Sequence, residues 1–198
     1  MTSSALTVSV LDLIPVRTGQ STSQAIQAAR RLVHAAEAAG AHRYWVAEHH
    51  NTSSVASTSP PVLIALLGEG TERIRLGSGG VMLPNHSPLA VAEQFAALEA
   101  AYPERIDLGI GRAPGTDPVT SWALRNGAND EEIVQQFPTY VQRVMAFMSP
   151  GGARMLVGDR PFDISATPRA TSAPPVWLLG SSDYSARLAA QLGLPYVF

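Results

Sequence analysis

The chain has 198 residues, a formal net charge of −2, 45 % hydrophobic and 15 % charged residues, and no cysteine. That composition can bury a core, and it excludes a disulfide scaffold, a thiolate nucleophile and a cysteine-based metal site. A weak charge balance without blocks of one sign does not suit nucleic acid or an anionic membrane, and no apolar run nears the roughly 18–20 residues of a membrane span.

The N-terminus lacks a basic segment followed by a long apolar stretch, so no signal peptide is read and a cytoplasmic protein is expected. Residues 6–13, "LTVSVLDL", read as a strand rich in β-branched residues. Residues 21–41 read as a helix that Ser21 or Thr22 caps and Gly40 ends, with Ala25, Ala28, Ala29, Leu32, Val33 and Ala36 at helical spacing. A strand over 43–48 follows. A helix over 59–71 is entered through prolines, which suit a first turn. Residues 74–83 form a strand running into glycine, 87–102 a helix, and 105–112 a strand. Residues 130–148 read as one helix, kinked or reset near Pro138. The Pro/Gly-rich stretch 149–175 reads as irregular. Then come a strand (174–182), a helix (183–193) and the start of a sixth strand (194–198).

Strands alternating with helices imply a parallel sheet. An open doubly wound sheet and a (β/α)₈ barrel both fit, and in both the ligand sits at the carboxyl ends of the strands. A whole barrel takes about 250 residues, more than this chain has.

The strand ends are therefore the place to look. The second strand ends at Glu48-His49-His50, the third at Gly77-Ser78-Gly79-Gly80, the fourth at Gly109-Ile110-Gly111-Arg112, and the fifth at Gly180-Ser181-Ser182. Two serines opening a helix can be a plain cap or a phosphate seat, and Arg112 can be a surface ion-pair partner or a fork on the same phosphate. Gly79-Gly80 can be a simple turn or a bare backbone for a flat ligand; it matches no phosphate-loop or dinucleotide fingerprint. The adjacent histidines suit proton transfer as well as structure. They suit a metal less, because neighbours on an extended strand end point opposite ways, and no metal is expected. His86 reads as a loop residue. Trp45, Trp122, Trp177 and the methionines Met82, Met145, Met148 and Met155 read as packing residues, with Trp122, in the loop after the fourth strand, the one candidate for a lid.

Four segments, "WVAEHHN", "IRLGSGGVMLPNHSPLAVAEQFAALE", "RIDLGIGRAPGTDP" and "PPVWLLGSS", together resemble the bacterial luciferase-like flavin monooxygenases, and especially their alkanal-monooxygenase-like branch. The resemblance runs over almost the whole chain in the family's order. It implies a (β/α)₈ TIM-barrel fold of which about six strands lie in this chain, with 1–198 a single barrel domain that is incomplete at its C-terminal end. It implies FMN at the carboxyl-end rim, reduced flavin from a separate reductase, O₂, and oxidation of a small organic substrate such as an aldehyde or ketone. His49 matches the family's catalytic histidine, with Glu48 beside it. Gly79-Gly80 matches a non-prolyl cis peptide under the flavin ring. Arg112, Ser181, Ser182 and Ser185 match the phosphate-binding positions. A homodimer is usual in the family. Two further readings stay open: an oxidoreductase using the deazaflavin F420, and a flavin-binding protein without catalysis. A genuinely short member and a fragment are both compatible with the length.

Overall fold

A computed structural model describes residues 6–127 and 130–198. Six strands form one parallel sheet: β1 (Ser9–Asp12), β2 (Arg43–Val46), β3 (Arg75–Met82), β4 (Ile106–Gly111), β7 (Val176–Leu179) and β8 (Tyr196–Val197), side by side in that order. Between β4 and β7 lies a separate antiparallel hairpin, β5 (Ala153–Val157) with β6 (Arg160–Ile164). The helices are α1 (Thr22–Ala38), α2 (Pro60–Gly68), α3 (Pro88–Ala101), α4 (Pro118–Leu124), α5 (Asp130–Gln135), α6 (Phe137–Met148) and α7 (Asp183–Leu192). The sheet is an open arc of a (β/α) barrel, with β1 and β8 as its edges.

Local sequence explains most element ends. Ser21 caps α1 in a capping box: its hydroxyl accepts from the Gln24 N–H, and the Gln24 side chain accepts from the Ser21 N–H. The apolar stripe Ala25, Ala29, Val33 and Ala36 is the buried face. Pro138 opens α6 rather than bending a longer helix, so the single helix expected over 130–148 is two helices that part at Gln136. The stretch read as irregular contains the β5–β6 hairpin, turned by Gly158-Asp159 with Gly158 at φ +61°. Its strands are mostly exposed and carry no apolar alternation, so the period-2 signal is missing.

The sheet's two faces differ sharply. Tyr44, Leu76, Ile106, Leu108, Ile110 and Leu178 are each at most 1 % exposed in the core cluster that the helices share. The inner face carries Trp45, Gly77, Asp107, Gly109 and Trp177, with the two tryptophans edge to face at 5.7 Å. Near the amino ends, buried Asp107 accepts from Arg43 Nε (3.0 Å), Arg75 Nε (3.0 Å), Arg75 Nη2 (2.7 Å) and Trp45 Nε1 (3.1 Å). Leu11, Trp45, Trp177, Leu179 and Val197 line an apolar hollow between the two open edges.

One irregularity matters for the rim. Ser78 pairs with Leu108 and Val81 with Ile110, so β3 carries one residue more than β4 at Gly79-Gly80. The Gly79–Gly80 peptide is cis. The strands press so close here that a Cβ on Gly109 would lie 2.1 Å from the Ser78 oxygen, and one on Gly80 2.9 Å from the Gly109 oxygen.

Candidate active site

The carboxyl ends of β3, β4 and β7 are neighbours in the sheet, and a cleft of about 240 Å³ opens among them. Gly79, Gly80, Arg112, Ser181, Ser182 and Ser185 all line it, joined by Met82 and Gly111. The six residues proposed from sequence as cofactor contacts therefore share one cleft, although they come from three chain segments spread over about a hundred residues. The sheet order achieves this: β7 lies beside β4, and the β5–β6 hairpin is left outside the arc.

One end of the cleft gathers a cation and a helix start. Ser182 stands at the N-cap of α7, but its side chain makes no capping hydrogen bond, so no side chain from the cap position claims the helix's first N–H groups. Asp183, the one acidic residue in that turn, is engaged by Arg187 Nε at 3.2 Å. Arg112 has no carboxylate partner among the described residues; its guanidinium carbon sits 4.2 Å from the centre of the Tyr184 ring. Tyr196 donates its hydroxyl to the Gly180 carbonyl, which fixes the loop leading into α7. The buried Ser185 hydroxyl packs on Gly180, where a Cβ would come within 2.7 Å of it.

Glu48 and His49 are not in the lining of this cleft. Glu48 is fully buried and wholly engaged: Oε1 accepts from His50 Nε2 (2.8 Å) and His86 Nε2 (2.7 Å), and Oε2 accepts from the Met82 N–H (3.0 Å). Burial alone would raise its pKa, but the bonds from His86, His50 and Met82 outweigh that and hold the carboxyl below its usual value. Through Met82 the network touches the cleft wall. His86, read from sequence as a loop residue, is thus a partner of Glu48 across 38 positions. His49 leaves its neighbours' network: its N–H donates to the Ser57 carbonyl, and Nδ1 is buried without a hydrogen-bond partner.

Two histidines and a carboxylate are also a metal-ligand set. Here both Nε2 atoms lie within 2.8 Å of the same oxygen. Two ligands each about 2.0–2.1 Å from one ion would stand roughly 2.9 Å apart even at right angles. The spacing is that of hydrogen bonds, and the group is satisfied without an ion.

The cleft fits a flat ring system bearing a phosphate. Glycine backbone from β3 and β4 offers a surface without side chains, and Arg112 and the α7 start offer charge and N–H donors.

Residues 6–198 match the family model described as luciferase-like monooxygenase. A luciferase-like monooxygenase of Escherichia coli K12 is 47 % identical over 198 residues, all of this chain and 56 % of the relative. N-acetyl-S-alkylcysteine monooxygenase of Bacillus subtilis is 38 % identical over 96 % of this chain and 56 % of its own length. The oxygenating constituent of 3,6-diketocamphane monooxygenase from Pseudomonas putida, solved with FMN, superposes with a TM-score of 0.74 at 19 % identity over 98 % of this chain and 57 % of that one; at that identity it speaks for the fold. The chain belongs to the luciferase-like monooxygenase family. It spans just over half the length of these relatives.

Proposed function

We propose that this chain seats reduced FMN in an FMN-dependent monooxygenase that uses O₂ to oxidise a small organic substrate such as an aldehyde or ketone. The observation that carries the reading is the convergence of Gly79, Gly80, Arg112, Ser181, Ser182 and Ser185 on one cleft. Its two ends have the two characters of the cofactor, a bare backbone floor and a cationic, donor-rich pole. The family membership and a relative that is itself a monooxygenase at 38 % identity support the same reading.

Bound reduced flavin supplies the electrons that activate O₂. The chain's own residues orient it. Arg112 and the first N–H groups of α7 hold the phosphate, while Ser181, Ser182 and Ser185 add hydroxyl donors. The Gly79-Gly80 backbone lets the ring lie against the sheet. His49, just beyond the end of β2 on the same rim, is the acid–base or hydrogen-bonding group at the reacting centre in this reading. Glu48 acts one step back, anchoring His50, His86 and the Met82 backbone beside the cleft.

We read residues 1–198 as one barrel-type domain. We also propose a separate reductase that delivers the flavin and a cytoplasmic location; among the described residues no helix is long and apolar enough to cross a membrane. A homodimer is also proposed. Helix α2 is apolar all round, and it leaves Val62 and Leu66 on its outer side.

The test is a fluorescence titration of the 198-residue chain with FMN, with F420 in parallel, followed by oxidation assays with an added reductase. Saturable FMN binding that Arg112→Ala weakens supports the reading. Preference for F420 would replace the cofactor. Binding without turnover would leave a flavin-binding protein. If His49→Ala oxidises substrate as fast as the parent chain, the role given to His49 is wrong.

A further inference from the structure

Among the described residues lining the cleft the only cationic side chain, Arg112, is held by an aromatic ring, and that ring belongs to a residue outside the set read from sequence. We propose that Tyr184 is a positioning residue that sets Arg112 for the cofactor phosphate, and so contributes to selecting phosphorylated over unphosphorylated flavin. The proposal rests on the flavin reading above.

The geometry is specific. Arg112 enters from the end of β4, whereas Tyr184 is the second residue of α7, in the turn whose N–H groups open on the cleft. The guanidinium carbon lies 4.2 Å from the ring centre, well inside the range of a cation–π contact. The contact therefore ties the arginine to the element that carries the other phosphate donors. A carboxylate could hold Arg112 as firmly, as Asp107 holds Arg43 and Arg75 at the opposite end of the sheet. It would also cancel the charge and occupy N–H donors that a phosphate needs. A ring engages the guanidinium by its face and leaves the donors at its edge free. Asp183, next to Tyr184 in the chain, is engaged by Arg187 instead.

The experiment compares FMN and riboflavin affinities, by flavin fluorescence, for the full 198-residue chain and four variants: Tyr184→Leu, Tyr184→Phe, Arg112→Ala and the Arg112→Ala/Tyr184→Leu double variant. Circular dichroism checks that each is folded. Tyr184→Leu should weaken FMN about two- to fivefold, the size of a partly exposed cation–π contact, and leave riboflavin unchanged. Tyr184→Phe should restore FMN affinity, and in the Arg112→Ala background Tyr184→Leu should add nothing. Equal weakening of both flavins would assign Tyr184 a packing role and overturn the proposal. So would an undiminished effect in the double variant, or failure of phenylalanine to rescue. If Arg112→Ala itself leaves FMN affinity unchanged, the phosphate site falls and Tyr184's role with it. If Arg112→Ala weakens FMN and Tyr184→Leu does not, only the role of Tyr184 falls.

Discussion

The two ends of the sheet hold the same residue type in opposite states. At the amino end, Arg43 and Arg75 both close on the buried Asp107 carboxylate, and Trp45 Nε1 adds a fourth donor bond. At the carboxyl end, Arg112 rests on an aromatic ring, Ser182 caps nothing, and His49 Nδ1 has no partner. The charges at the first end are spent on one another, whereas at the second Arg112 meets no carboxylate among the described residues and the α7 start has no side-chain cap. A barrel keeps stability and function at opposite ends in this way, and the difference lies in whether a carboxylate shares the layer. The Glu48 network is the instructive intermediate. It lies on the carboxyl-end rim, yet it is closed like the amino-end cluster.

Substitutions should separate the two ends. The largest effect is expected for Asp107→Asn, which leaves two inward arginines without their counter-charge; chemical denaturation should show a loss of about 3–5 kcal/mol. Glu48→Gln should follow, at about 2–3 kcal/mol, because a neutral amide replaces an acceptor of three hydrogen bonds. Its cost depends on pH. The folded Glu48 carboxyl titrates below its ordinary value of 4.5, so its contribution is complete above that value and is lost as pH falls through the lower, folded one. The stability gap between the parent chain and Glu48→Gln should therefore be constant near neutrality and narrow below about pH 4.5. A gap that stays constant into acid would mean that the carboxylate charge is not what holds the network.

Arg112→Ala should invert the pattern. Stability should change by less than about 0.5 kcal/mol, while FMN binding weakens by about 1.5–3 kcal/mol, the size of a charge-assisted hydrogen bond, and riboflavin binding holds. A large loss of stability instead would place Arg112 with the amino-end arginines. Gly180→Ala is the gentlest probe. The new methyl would displace the Ser185 hydroxyl, which lies 2.7 Å from the position it would take, so FMN affinity should fall a few-fold with the fold retained. Unchanged affinity would remove Ser185 from the site.

The strand–helix alternation was legible because period and punctuation are local. Ser21, Gly40, Pro88 and Pro138 mark ends or starts by their own backbone and side-chain chemistry. The rim residues were legible for a related reason. Once a parallel sheet is inferred, every strand's last residues must lie on one side. Parts of the site were not legible. His86 reaches Glu48 from 38 positions away, and nothing near His86 in the chain announces it. The β5–β6 hairpin had its Gly158-Asp159 turn as a signal, but its exposed strands lack alternation. Tyr184 looked like an ordinary helix residue.

By itself, then, the sequence determined the order and type of most elements, the parallel sheet and the identity of the rim groups, since propensity, capping and hydrophobic period act over a few residues. The tertiary structure alone decided which of those groups meet. It set β7 beside β4, brought six residues into one cleft, closed Asp107 and Glu48 into satisfied networks, and left Arg112 on a ring. Pairing between charges is fixed by distances across the sheet, and those distances exist only after the strands have packed.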